Sequence, residues 1–252
     1  MNMFDLTGKT ALVTGGNKGL GKGIAEGLCE AGAKVTILAS SEQVYDAAEE
    51  LRSKGFDAAG IRCDLSDEQA VAQAFDKALS TLGGKLDIMV NNAGIQRRHP
   101  SEEFPMEDWD AVINVNLRSV FQLCQLAGRN MLKNGGGKII NLASMLSYFG
   151  GFTVPAYAAA KGGVAQLTKA LSNEWAGKGI CVNAIAPGYM ATQMNTRLIE
   201  DPKRNGEILS RIPMGRWGNE QDVKGIAVFL ASSASDYISG AVIPVDGGYL
   251  GR

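Results

Sequence analysis

A doubly wound α/β fold is the class this sequence predicts, a parallel sheet of about seven strands with helices on both faces. Short apolar runs alternate with longer stretches of helical period, and a glycine-rich turn follows the first of those runs. Glycine is frequent, 32 of 252 residues, and much of it falls at run-to-helix junctions, where tight turns need it.

In chain order, Thr10–Thr14 (TALVT) is the first expected strand and Leu20–Ala31 the first helix. Val35–Leu38 and Ala58–Cys63 are the next apolar runs, each followed by a stretch of helical period, Glu42–Lys54 and Asp67–Leu82. Leu86–Val90 is the fourth strand, and a long helix is expected from about Met106 to Lys133. Lys138–Leu142 precedes a helix over Pro155–Gly177, Cys181–Ala186 is the sixth strand, and Glu220–Ala231 and Ala241–Val245 close the pattern. Strands this uniformly apolar are buried on both faces, which is the signature of a parallel sheet sandwiched by helices. Tyr189–Gly218 breaks the rhythm: it is long and polar, bracketed by Pro187-Gly188 and by Gly215 and Gly218. It is expected to be a loop serving as a substrate lid, over about 189–218, on a single domain spanning 1–252.

Composition narrows the function. A formal net charge of −1 gives no electrostatic case for nucleic acid or an anionic membrane. The N-terminal MNMFDLTGKT lacks the apolar core of a secretion signal, and Asn2 stands where myristoylation needs glycine. No run approaches the ~18 apolar residues of a membrane span. Cys29, Cys63, Cys124 and Cys181 are scattered, and with the single His99 they make no metal site; a reducing cytoplasm is expected, with the thiols packed as small hydrophobes.

Thr14-Gly-Gly-Asn-Lys-Gly-Leu-Gly21 lies between the first strand and the first helix, a Rossmann-type setting. Gly15, Gly19 and Gly21 let the backbone approach a pyrophosphate at the helix N-terminus. The acidic residue that takes a ribose 2′-hydroxyl at the end of the second strand is missing, and Leu38-Ala-Ser-Ser41 stands there, with Glu42 just beyond. Lys18 is either a 2′-phosphate contact or a solvated charge. Asp64, at the third strand's end, either accepts from an adenine amino group or shapes a turn ahead of Ser66-Asp67. Asn91-Asn-Ala-Gly94 offers small residues to the cofactor and amides that tie adjacent loops together.

Tyr157-Ala-Ala-Ala-Lys161 places a phenol and an ammonium on one helix face, with Ser144 thirteen residues before Tyr157. A free phenol titrates near ~10, and bringing it to neutral pH takes ~4 kcal/mol of differential stabilisation, which a nearby ammonium is expected to supply. Such a pair trades a proton with an alcohol or a carbonyl.

TGGNKGLG, NNAG, Asn116, Ser144, YAAAK and Pro187-Gly188 stand in the order and spacing of the classical short-chain dehydrogenase/reductases, and the chain resembles them from Leu6-Thr-Gly-Lys9 to Val245-Asp-Gly-Gly248. The resemblance implies an NAD(P)-dependent oxidoreductase acting on CH–OH groups, usually a homotetramer. Carried over residue by residue, Asn116, Ser144, Tyr157 and Lys161 form the catalytic tetrad. Tyr157 is the acid/base, Lys161 lowers its pKa and binds the nicotinamide ribose, Ser144 orients the substrate oxygen, and Asn116 holds a water. The cofactor contacts it implies are Gly15, Asn17, Lys18, Gly19, Leu20, Gly21, Ser40, Asp64, Leu65, Asn92, Ala93, Gly94, Tyr157, Lys161, Pro187, Gly188, Met190 and Thr192.

Asn92-Ala-Gly-Ile-Gln-Arg-Arg98, Ile139–Ser147, Asn183–Thr192 and Arg211–Gly218 resemble the sugar-acid branch, the 2-dehydro-3-deoxy-D-gluconate 5-dehydrogenases and gluconate 5-dehydrogenases. That resemblance implies a C6 sugar-acid substrate contacted by Gln96, Arg97, Arg98, Ser144, Met145, Tyr157 and Tyr189. Arg97 and Arg98 either grip a carboxylate or pair on the surface with Glu102 or Glu103. The branch implies NAD(H), while Lys18 and Ser40 point to NADP(H); NAD(H) is the expectation. The alternative function is reduction of 3-oxoacyl thioesters on a carrier protein.

Overall fold

The computed structural model describes residues 2–252; Met1, the first residue of the expected domain, lies outside them. Each of the seven apolar runs forms a strand: β1 (Thr10–Thr14), β2 (Lys34–Ala39), β3 (Ala58–Arg62), β4 (Ile88–Asn91), β5 (Gly137–Leu142), β6 (Ile180–Pro187) and β7 (Val242–Val245). They make one sheet in the order β3-β2-β1-β4-β5-β6-β7, and every neighbouring pair is parallel. The fourth strand starts at Ile88 rather than Leu86. The Leu86 N–H donates instead to Asn130 Oδ1 (2.9 Å), and the Asp87 carboxylate accepts from the Thr10 N–H (3.0 Å).

The helices are α1 (Gly19–Glu30), α2 (Gln43–Ser53), α3 (Glu68–Thr81), α4 (Met106–Ile113), α5 (Ser119–Lys133), α6 (Pro155–Trp175), α7 (Thr196–Glu200), α8 (Pro202–Leu209) and α9 (Glu220–Ala231). Alternate strand residues feed two cores. Val13 joins Ile24, Leu28, Val44, Leu51 and Leu230 on the side of α1, α2 and α9. Leu12 joins Phe75, Leu123, Met131, Val164 and Leu171 on the side of α3, α5 and α6. The period-two alternation of a buried strand thus sorts side chains between two helical layers.

Two expectations change. The long Met106–Lys133 helix is interrupted by a π-turn over Asn114–Arg118, where the Ser119 N–H bonds the Asn114 carbonyl one residue farther back than in an α-helix. The Tyr189–Gly218 segment is not a plain loop, since it folds into α7 and α8. Asp201 caps α8 by accepting from the Lys203 and Arg204 N–H groups (3.0 and 3.1 Å), and Pro202 sits at the first helical position. Asp201-Pro202 was a start signal in plain sight, outweighed by the polarity of what surrounds it.

Strand order reverses between β1 and β4, so the ends of β1, β4 and β5 open a crevice of the kind in which α/β sheets bind ligands.

Candidate active site

The glycine turn after β1 is built for close approach. Gly15 and Gly19 have φ of 65° and 52°, a region L side chains rarely adopt. A Cβ on Gly15 would lie 2.8 Å from Asn92 Nδ2, and one on Gly21 would collide with the Gly15 carbonyl. Asn92 Nδ2 donates to the Thr14 and Gly15 carbonyls (2.9 and 3.3 Å), while Thr14 Oγ1 accepts from the Asn92 and Ala93 N–H groups (both 3.0 Å). The β1 and β4 ends are therefore locked together beneath a bare backbone surface, a cradle that fits a pyrophosphate. Thr192 stands over it, 3.7 Å from where a Gly19 Cβ would be, so the Pro187–Thr192 segment closes the other wall. Pro187 ends β6, and Gly188 is required there because a Cβ would come within 2.6 Å of the Asp246 Cα. Met190 is buried and bridges to Gly218, which ties together the two ends of the 189–218 segment.

Lys18 does not point to the end of β2: its Nζ donates to Gln193 Oε1 (3.0 Å) in the 189–218 segment. Asp64 shapes a turn, accepting from the Ser66 N–H and hydroxyl (2.9 and 2.8 Å), and Leu65 packs on the core.

Tyr157 and Lys161 face the end of β5 from α6. Lys161 is 3% exposed, and its Nζ donates to the Leu142 carbonyl while lying 5.7 Å from the Tyr157 ring centroid. Burial lowers its pKa from 10.5 to about 8. Ser144 caps a short 3₁₀ turn, its Oγ accepting from the Leu146 N–H (3.1 Å). Ser147 closes the capping box, and its hydroxyl donates to the Lys161 carbonyl (2.7 Å).

The phenol differs from the expectation. Its pKa is raised rather than lowered: burial dominates, opposed by the hydrogen bond with Ser144 and by the charge of Arg98. Burial outweighs both, and the cation that lowers the phenol's pKa is Arg98, while the Lys161 ammonium donates to the Leu142 carbonyl. Asn116 ties a loop in place. Fully buried in the π-turn, its amide donates to the Ile95 carbonyl and accepts from the Ile95 N–H (both 2.8 Å). The side chain therefore clamps the strand-end loop beside Gly94.

Gln96, Arg98, Ser144, Met145, Tyr157 and Tyr189 line a single cleft of about 300 Å³. Arg97 is outside it, bonded through Nε to Asp108 (3.1 Å), which also takes His99 (2.7 Å); the surface partner is Asp108, not Glu102 or Glu103. The 189–218 segment adds Arg204, Glu207 and Arg211 to the cleft. Arg204 pairs with Glu207 at 2.5 Å, and Arg211 lies 4.4 Å over the Tyr249 ring. Arg98 has no hydrogen-bond or ion-pair partner among the described residues. Three guanidinium groups against one carboxylate make this an anion-seeking cleft.

The family model for Enoyl-(Acyl carrier protein) reductase matches residues 15–250. A 2-dehydro-3-deoxy-D-gluconate 5-dehydrogenase of Bacillus subtilis is 49% identical over 249 residues, which are 99% of this chain and 97% of that protein. The chain is a short-chain dehydrogenase/reductase. One of the same name from Escherichia coli is 47% identical over 253 residues, 100% of this chain and 99% of its own. The crystal structure of a gluconate 5-dehydrogenase from Burkholderia cenocepacia, in complex with NADP and tartrate, superposes with a TM-score of 0.96 at 41% identity, covering 100% of this chain and 98% of that one. This short-chain dehydrogenase/reductase is therefore an oxidoreductase, and its relatives bear the names of sugar-acid dehydrogenases.

Sequence reading missed Arg204 and Glu207, because α8 was read as loop. It noted the stretch that begins at Arg211 without giving that guanidinium a part. In α8 the signal was spacing: Arg204 and Glu207 are three apart and share a helix face once the helix is recognised.

Proposed function

We propose that this enzyme interconverts a secondary alcohol and a ketone on a C6 sugar acid. The observation that carries this is the cleft itself, in which Arg98, Arg204 and Arg211 surround Ser144 and Tyr157. A sugar acid brings a carboxylate to those guanidinium groups and hydroxyls to the remaining polar wall. A 3-oxoacyl chain would lay apolar methylenes against the same charges and strip their water without compensation.

A bound nicotinamide supplies or takes up the hydride. Tyr157 gives its phenolic proton to the substrate oxygen when a ketone becomes an alcohol and takes it back in reverse. Ser144 hydrogen-bonds the same oxygen, Lys161 contacts the nicotinamide ribose, and Asn116 keeps the Gly94–Ile95 turn in place. The 189–218 segment acts as the lid, delivering α8 to the substrate. The dinucleotide lies on the Gly15–Gly21 cradle, against Asn92–Gly94 and under Pro187–Thr192, and both NAD(H) and NADP(H) are accepted. The NADP in the Burkholderia structure weighs against a strict NAD preference.

We place the enzyme in the cytoplasm, consistent with four free thiols, and no helix among the described residues is long and apolar enough to cross a membrane. Phe121 and Leu132, exposed on α5, support assembly as a homotetramer.

A panel of C6 keto sugar acids and a 3-oxoacyl thioester, each with NADH and NADPH, tests the assignment. The highest kcat/KM is expected on a keto sugar acid; a higher value on the thioester would overturn it. Within that assay Arg98→Ala should raise KM by about 10- to 100-fold, the loss of one charge-assisted hydrogen bond. Arg97→Ala, outside the cleft, should change KM by less than about twofold. Equal effects from the two would sink the placement of the carboxylate.

A further inference from the structure

The adenosine end of the cradle holds a second pair of opposite charges. Sheet register sets Arg62, the last residue of β3, beside Ala39, the last residue of β2. Its Nε donates to the Ser40 carbonyl (3.0 Å) and its NH1 to Glu42 Oε1 (2.6 Å). Asn17 of the glycine turn donates to Ser41 Oγ (3.3 Å), so the turn closes on the same point. Lys18, the cation of that turn, is engaged with Gln193. In dinucleotide-binding sheets this place takes a carboxylate for a ribose 2′-hydroxyl or an arginine for a 2′-phosphate. This chain has both, bonded to each other and exposed, Arg62 by 57% and Glu42 by 70%.

We propose that Arg62 and Glu42 form an exchangeable pair that sets cofactor selectivity, Glu42 accepting the 2′-hydroxyl of NAD and yielding Arg62 to the 2′-phosphate of NADP. The bond from Nε to the Ser40 carbonyl fixes the guanidinium plane, so only the exposed Glu42 side chain has to move. An exposed ion pair is weakly held, and a phosphate of higher charge displaces the carboxylate from a planar guanidinium able to donate in bidentate fashion. Small side chains at Ala39 and Ser40 leave room for it. The inference rests on the reading that this cradle binds a nicotinamide dinucleotide.

Titration calorimetry with NAD, NADP, 5′-AMP and adenosine 2′,5′-bisphosphate on the wild type, Arg62→Gln and Glu42→Gln separates the two ideas. Arg62→Gln should weaken NADP and the bisphosphate by about 10- to 100-fold while leaving NAD and 5′-AMP within about twofold. Glu42→Gln should act oppositely, tightening NADP and weakening NAD by about threefold or more. Failure of the wild type to bind any of the four would remove the dinucleotide reading. Binding of NAD and NADP with no selective loss in Arg62→Gln, or no shift in Glu42→Gln, would overturn the exchange and leave that reading intact.

Discussion

Tyr157→Phe should lower kcat by about 10²–10⁴-fold, the range of a single general acid/base group, while dinucleotide affinity and melting temperature stay near the wild type. Only the phenolic oxygen is removed. The ring packs with Val112, Ala156 and Ala160, and Phe keeps that packing, so a loss of activity cannot be charged to a collapsed site. The pH profile sharpens the test. Because burial raises the phenol's pKa, the protonated form prevails at neutral pH and suits proton donation to a ketone. Ketone reduction should therefore be flat through neutrality and fall as pH rises through that pKa, whereas alcohol oxidation, which needs the phenolate, should rise over the same window. Arg98 lowers the pKa, so Arg98→Ala should move both limbs upward. Near-normal turnover in Tyr157→Phe would remove the tyrosine from the chemistry altogether.

What the chain discloses before folding is what depends on nearby residues. The strands are legible because each is a short, largely apolar run, and the glycine turn because its spacing and its place after β1 are local. The capping role of Ser144 and the loop-tying role of Asn92 likewise involve residues that a turn or a single strand pairing brings close. The failures are long-range. Arg97 and Arg98 are adjacent and look alike, but one pairs with Asp108 and the other opens onto the cleft, a choice made by the turn leading into α4. Arg62 is silent in sequence because β2–β3 pairing alone carries it to Ser40 and Glu42, across some twenty residues. The phenol's raised pKa is likewise long-range, because burial outweighs the Ser144 hydrogen bond and the charge of Arg98. Shared helix spacing brings Lys161 near the Tyr157 ring, but the direction of its ammonium is fixed by the Leu142 carbonyl at the end of β5.

Lys161→Met should abolish most turnover and at the same time stabilise the fold at neutral pH. Among the described residues only two charged side chains are buried, Asp87 and Lys161. Asp87 has Lys85 at 2.7 Å, whereas Lys161 has no carboxylate partner among the described residues and only a backbone carbonyl to hold it. Its pKa falls from 10.5 to about 8 because the fold disfavours its charge. At ~1.36 kcal/mol per pKa unit, that gap is roughly 3 kcal/mol of destabilisation in the charged form. The sign follows from proton counting. Below pH 8 both folded and unfolded lysine are protonated and the full penalty stands. Between about 8 and 10.5 the unfolded chain holds more protons, so stability rises with pH until the penalty is gone. Met fills a similar volume without charge and gives up one hydrogen bond of about 1 kcal/mol, leaving a net gain of about 1–2 kcal/mol at pH 7 that vanishes by pH 10.5. Urea unfolding of both proteins at pH 7, 8.5 and 10 reads the difference directly. A variant less stable than the wild type at pH 7, or a difference that does not shrink with pH, would mean that the buried ammonium is not a burden to the fold. A gain in stability with loss of turnover would identify an unpaired buried charge retained for its contact with cofactor and phenol at the expense of the fold.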